Sequence, residues 1–275
     1  MNAMTLAYPV EEWLNEAERI AYSDYWNDET AEREKPFWIL DGDFGKMERY
    51  LAGTSLVQQL EECAAVLRQQ FGRTLHGVGC DLAAGTLWAE PHLFRLGNVE
   101  KIYCIEYSRH RLLKLGPAVL EHYNISPEKI VLALGDFHRL KLQDGAVDFV
   151  FMSAAFHHSD APEQLLREIR RVLKPEGVVI LIGEHVADIR WKHYFTQPIK
   201  LLVARLVPKR WQRRIWGIVF ETNSLLPNAQ SRQIVDDGLG DHDYTLSQYA
   251  KFFSGAGFRY QCLRGRSLQA FVCVI

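Results

Sequence analysis

From residue 75 to residue 185 the sequence alternates short apolar, strand-like runs with longer stretches of helical periodicity. A chain with that rhythm has few options, because consecutive parallel strands need helical crossovers that cover both faces of the sheet. Strand one is expected at 75–82, followed by a helix near 86–96. Strand two is KIYCIEY, with a helix over 108–123. Strand three is KIVLALGDF. Strand four is VDFVFMSAAF, followed by a helix over 161–173, and strand five is VVILIGEH after a KPEG turn. A last helix, 244–256, precedes FRYQCL and LQAFVCVI. Their connection is too short for a crossover, so these two strands form an antiparallel hairpin.

The flanks read differently. Residues 9–22 carry a helical stripe through Trp13, Leu14, Ala17, Ile20 and Ala21, and residues 45–71 read as a helical pair split near Gly53, with Ser55 as the second cap. These segments suggest an N-terminal helical cap over residues 1–71, ahead of an α/β domain over 72–275 with a helical insertion at 186–243. The 275 residues suffice for this arrangement, with 48% apolar and 24% charged side chains in the range of soluble domains. No apolar run reaches spanning length, and the N-terminus has no basic start followed by an apolar core. None of the five cysteines forms a CxxC pair, so they read as small buried hydrophobes in a reducing, cytoplasmic compartment, with no metal site expected. The cluster Asp241-His242-Asp243 lacks ligands of matching spacing elsewhere and reads as a solvated loop.

The polar landmarks of the domain fall at the carboxyl ends of the strands, where open α/β sheets bind ligands. In HGVGCDLAAGTL the strand ends in three small residues, Ala83, Ala84 and Gly85, which let a ligand approach the backbone. The bland alternative is a turn kept small for helix packing. Glu106 lies 21 residues after Gly85, where an acid at the end of strand two can accept ribose hydroxyls. Asp136 and Phe137 at the end of strand three can pair a hydrogen bond with an apolar ring contact, although GDF is also a common turn.

Taken together, CDLAAGT, CIEYS, LGDF, the run from VDFVFMSAAFHHSD to LKPEGVVILIGEH, and the closing AGF with its hairpin resemble the class I S-adenosylmethionine-dependent methyltransferases, in their small-molecule branch. The resemblance covers about 72–185 and 244–275. It implies a Rossmann-like seven-stranded sheet of order 3-2-1-4-5-7-6, with only strand seven antiparallel. It also implies S-adenosyl-L-methionine as cofactor and S-adenosyl-L-homocysteine as product. By position, Asp81 would organise the turn, and Ala83, Ala84 and Gly85 would face the methionine portion. Glu106 would meet the ribose, Asp136 and Phe137 the adenine, and Ser153 the amino-acid end, with Tyr107 among the cofactor-binding residues. The family usually shows GxGxG, and this chain has alanine and leucine at the outer positions.

Methyl transfer is an in-line displacement in which positioning supplies much of the rate, and a hydroxyl acceptor gains from a base. His185, His157 and His158 are the candidate bases. The His-His pair has an alternative structural or lid role. A small organic acceptor is expected, methylated at oxygen, with a lipid-like or phosphorylated compound in view. The rival readings are a non-catalytic cofactor-binding protein and an NAD(P)-dependent oxidoreductase, which would need neither the GDF element nor the hairpin.

Charge is unevenly placed. Residues 1–50 hold 12 acids against five bases, whereas 189–220 hold eight bases and no acid. The basic stretch 190–220 reads first as a substrate lid and second as a contact with anionic membrane. The acidic N-terminal part argues against a nucleic-acid partner. The oligomeric state is not legible.

Overall fold

Strand β4 (Ile130–Leu134) is buried at every position, so both its faces and both its edges need partners. One edge pairs in parallel with β3 (Asn98–Glu106), and the other is covered by a three-residue strand, β1 (Val10–Glu12). These are features of a computed structural model that describes residues 8–15, 43–186, 242, 244–265 and 268–275.

The remaining strands are β2 (His76–Leu82), β5 (Val147–Ser153), β6 (Leu173–Glu184), β7 (Arg259–Arg264) and β8 (Gln269–Val274). They complete a sheet of order β1-β4-β3-β2-β5-β6-β8-β7, in which β8 alone is antiparallel to its neighbours. The expected strand order is therefore present, with an eighth strand added beside the third in the expected order.

That eighth strand corrects the helical reading of residues 9–22 over its described part. Leu132 N–H donates to the Pro9 carbonyl at 2.9 Å, and Trp13 and Leu14 N–H both donate to the Leu134 carbonyl. Trp13 and Leu14, counted as a helical stripe, are buried where they close the end of β4. Satisfying a buried strand edge outweighs a modest local helix preference. Val10, Glu11 and Glu12 are exposed, and such a short, charged outer strand is a poor template for further pairing. Residues 16–22 lie outside the described residues.

Helices α1 (Phe44–Thr54) and α2 (Leu56–Phe71) form the expected pair. Their junction is Ser55 in the left-handed region, but its hydroxyl makes no capping bond, and Asp43 caps α1 instead. Helix α2 packs on β6 and β8 through Leu60, Cys63 and Leu67, all fully buried. Helix α3 (Glu90–Leu96) starts four residues later than the periodicity suggests, because residues 83–89 are spent on the turn. A wide turn at Arg111–Leu115 leads into α4 (Gly116–His122), and α5 (Pro162–Val172) follows β5. The KPEG segment lies inside β6, at a register shift against β5, where a simple turn was expected. Helix α6 (Leu246–Gly255) precedes the hairpin.

By backbone proximity the chain divides into two units. One comprises Met1–Phe156, Ala161–His185 and Ala250–Ile275, and the other His157–Asp160 with Val186–Tyr249. The insertion 190–220 lies outside the described residues, and no described helix is long and apolar enough to cross a membrane.

The glycines of β2 bring backbone and side chain into close contact. A Cβ on Gly79 would lie 2.1 Å from the Phe149 ring on β5. Gly79→Ala should therefore cost about 1–3 kcal/mol through overpacking. A urea unfolding midpoint equal to the parent's would contradict this contact.

Candidate functional site

The chain leaves β2 through a turn whose backbone is left-handed at three alternate positions: Ala83 (φ 59°), Gly85 (φ 58°) and Leu87 (φ 61°). Only glycine adopts this region without penalty, and a side chain there costs about 1–2 kcal/mol. The shape that three glycines would give is thus kept with alanine and leucine at the outer positions. The leucine is held by packing. It is fully buried, and a Cβ on Gly116 at the start of α4 would lie 2.6 Å from its Cδ1. Gly85 has room beside it among the described residues, since a Cβ there would meet none of them within 4 Å. A ligand can reach the backbone at that point.

Glu106 ends β3 directly beside the turn. Its Oε2 accepts from Gly85 N–H at 2.8 Å and its Oε1 from Ser108 N–H at 2.9 Å, while Ala84 N–H donates to the Ile105 carbonyl at 3.0 Å. The carboxylate is only 6% exposed, so its position is set by these backbone donors. A carboxylate carries about four lone-pair sites, leaving two for a ligand's hydroxyls.

The next strand end completes an aromatic and acidic edge. Gly135 N–H donates to the Glu106 carbonyl, which fixes the β4 end against the β3 end. Asp136 Oδ1 accepts from His138 N–H at 2.8 Å and lies 2.9 Å from His138 Nδ1. Burial works to raise the Asp136 pKa, but the bonds from His138 and from the Tyr107 hydroxyl outweigh it and hold the carboxyl below its usual range. Stability from this group is therefore full above its ordinary value of 3.8 and is lost as pH falls below that, through the depressed folded value. The Tyr107 and Phe137 rings lie 6.5 Å apart and tilted.

Asp81 stands beneath the turn, 2% exposed, its pKa raised well above the carboxylate range by burial and then by the neighbouring Glu90. Ser153, half-buried, ends β5 on the far side of β2. The loop after it is held from β6. Ala154 (φ 49°) donates to the Ile182 carbonyl, and both Ala155 and Phe156 N–H donate at 3.1 Å to Oε1 of the fully buried Glu184. Gly183, beside Glu184, is itself held by Gln59 Oε1 from α2.

The structure thus brings Ala83, Ala84, Gly85, Glu106, Tyr107, Asp136 and Phe137 to adjacent strand ends. His185 is exposed, one residue beyond β6. His157 and His158 lie in a short 3₁₀ turn, and both belong to the second unit, where their rings are 4.4 Å apart and the His157 carbonyl accepts from His242 N–H. His242 also pairs with Asp160 at 2.5 Å, so it is tied down by the segment after β5. Sequence reasoning missed Glu90 and Glu184, which act on the landmarks from other elements, and His138, which acts on Asp136 from two residues along the same loop. The only signal for Glu184 was its place at the end of an apolar strand.

A profile of the family described as "Methyltransferase domain" matches residues 79–181. Human thiol S-methyltransferase TMT1B is 32% identical over 88 residues, covering 32% of this chain and 35% of that protein. An uncharacterized chloroplastic methyltransferase of Arabidopsis thaliana is 29% identical over 125 residues, or 45% of this chain and 34% of its own length. The match spans about a third of the length of these relatives. In fold, the chain resembles the DhpI–SAH complex, with a TM-score of 0.53 at 14% identity over 94% of this chain and 98% of that one. It also resembles the pyocyanin biosynthetic protein PhzM, with a TM-score of 0.51 at 12% identity over 84% and 58%.

The strained alanine gives a direct check on the turn. Ala83→Gly should stabilise the protein by about 1 kcal/mol, the left-handed penalty less the added freedom of the unfolded chain. A lower thermal midpoint for this variant would contradict the assigned backbone. The sheet order and the profile match agree, so residues 79–181 are similar to a methyltransferase domain and lie in a Rossmann-like sheet.

Proposed function

We propose that this protein binds S-adenosyl-L-methionine across the ends of β2, β3 and β4 and transfers its methyl group to a small organic acceptor. The observation that carries the reading is Glu106, fixed by Gly85 and Ser108 N–H beside an open Gly85 backbone. Its free lone pairs would take both ribose hydroxyls. Asp136, with one oxygen engaged by His138, would accept from the adenine amine beside Phe137. Ala83, Ala84 and Gly85 would line the methionine portion, and Ser153 would close the amino-acid end. The cofactor supplies an electrophilic methyl group on a sulfonium. What this chain adds is alignment, through the turn and through the loop after β5 that Glu184 holds.

At the acceptor, oxygen is the first reading, with His185 as base. His185 stands exposed one residue beyond β6. Residues 186–243 are read as a lid and residues 1–71 as a cap. The rings of His157 and His158 would serve the lid. A second reading, transfer to sulfur, draws support from the likeness to human thiol S-methyltransferase. A thiol with a pKa near 8.5 ionises partly without help, so it has less need of a base than an alcohol. Contact of 190–220 with anionic membrane stays part of the proposal, with vesicle sedimentation at low and high salt as its check.

Calorimetric titration with S-adenosyl-L-methionine, S-adenosyl-L-homocysteine and NADH separates the readings. Both sulfur compounds should bind, and NADH should not. Binding of NADH alone would overturn the methyltransferase reading, and binding of the sulfur compounds without turnover on any alcohol, phenol or thiol would favour a sensor. His185→Ala should lower turnover of a hydroxyl acceptor by about 10²–10⁴-fold and leave that of a thiol within a few-fold. Equal activity of parent and variant on hydroxyl acceptors would remove His185 as the base.

A further inference from the structure

Two carboxylic acids are buried together beneath the turn, and the cofactor contacts above use neither as a ligand-facing group. Asp81 on β2 is 2% exposed and Glu90 at the start of α3 is fully buried. Cys104, the register partner of Asp81 on β3, directs its thiol to Glu90 Oε1 at 3.2 Å. Glu90 Oε2 is buried with no hydrogen-bond partner among the described residues. The two acids act on each other in this pocket, and burial raises the pKa of both. Two neighbouring buried carboxylates would present only acceptors to each other and repel, so the pair keeps a proton. Among the described residues, the titratable groups facing the pair are Cys80 on β2, and Cys104 and Glu106 on β3. All are acids, and none offers a cation that would let both carboxyls ionise.

We propose that Asp81 and Glu90 form a one-proton pair that releases its proton to solvent when a cation-bearing adenosyl amino acid enters the turn above it. The inference rests on the cofactor reading given under Proposed function. Asp81 lies two residues before Ala83, so the ammonium and sulfonium of such a ligand would arrive close to the pair. A positive charge nearby favours the ionised form of a carboxyl, and the second ionisation becomes accessible once the ligand supplies the missing cation. The pair titrates as a unit, so the released proton belongs to neither residue alone. The demethylated ligand lacks the sulfonium charge and should displace less of the proton. Glu90 thereby helps the site distinguish the charged methyl donor from its neutral product, although it lies outside the turn.

The test is calorimetry of the full chain with S-adenosyl-L-methionine near neutral pH, in phosphate and in Tris, whose ionisation enthalpies differ. The parent protein should release up to about one proton per site, with affinity rising with pH by at most about tenfold per unit. In the double variant Asp81→Asn with Glu90→Gln the pocket holds neither carboxyl, and its binding heat should be independent of buffer. Should this variant fail to fold, the parent measurement decides. Buffer-independent heat in the parent, or unchanged proton release in a folded variant, would overturn the inference while leaving the cofactor reading in place. Absence of binding by the parent would overturn both.

Discussion

The site depends on one buried carboxylate. Glu106 takes Gly85 N–H on one oxygen and Ser108 N–H on the other, so it ties the turn after β2 to the chain leaving β3. Charge-assisted hydrogen bonds to backbone donors are shorter and stronger than neutral ones. Here they also substitute for the interactions that a left-handed turn cannot make within itself. The consequence runs outward: Gly135 bonds to the Glu106 carbonyl, Asp136 follows, and His138 and Tyr107 fix Asp136. A single residue at a strand end thereby joins three segments, through its carboxylate to Gly85 and Ser108 and through its main-chain carbonyl to Gly135.

The turn holds its shape at a cost. Alanine and leucine occupy left-handed positions that glycine would fill freely, and about 1–2 kcal/mol is stored at each. Leu87 offsets its share by full burial against α4, in the gap that Gly116 leaves open. Ala83 has no such return in packing, being only partly buried. Strained backbone of this kind persists where the surroundings over-determine it, and Glu106 supplies that constraint. On the other side of β2, Ala154 is also left-handed, and Glu184 plays the corresponding part for the loop after β5.

Much of this was legible in the sequence because parallel strands buried on both faces read as continuous apolar runs. The five strands from β2 to β6, the terminal hairpin and the strand-end acids could be placed that way. What escaped were interactions between residues far apart in the chain. Val10–Glu12 reads locally as part of a helix and becomes a strand only because β4 has an open edge. Glu90 looks like an ordinary first-turn acid, and only the meeting of β2, β3 and α3 reveals its burial against Asp81 and Cys104. Alanine in place of glycine is harmless unless φ is positive, and the sequence does not show that angle. The value of 59° at Ala83 decides that it is not.

The central claim is that Glu106 both holds the turn and receives the ligand's ribose. The most direct measurement is the affinity for S-adenosyl-L-homocysteine of parent and Glu106→Ala proteins, each first verified as folded by its thermal transition. Loss of two charge-assisted bonds to the ligand, together with loss of the Gly85 anchor, predicts at least about a hundredfold weaker binding. Affinity within a few-fold of the parent in a folded variant would contradict the account.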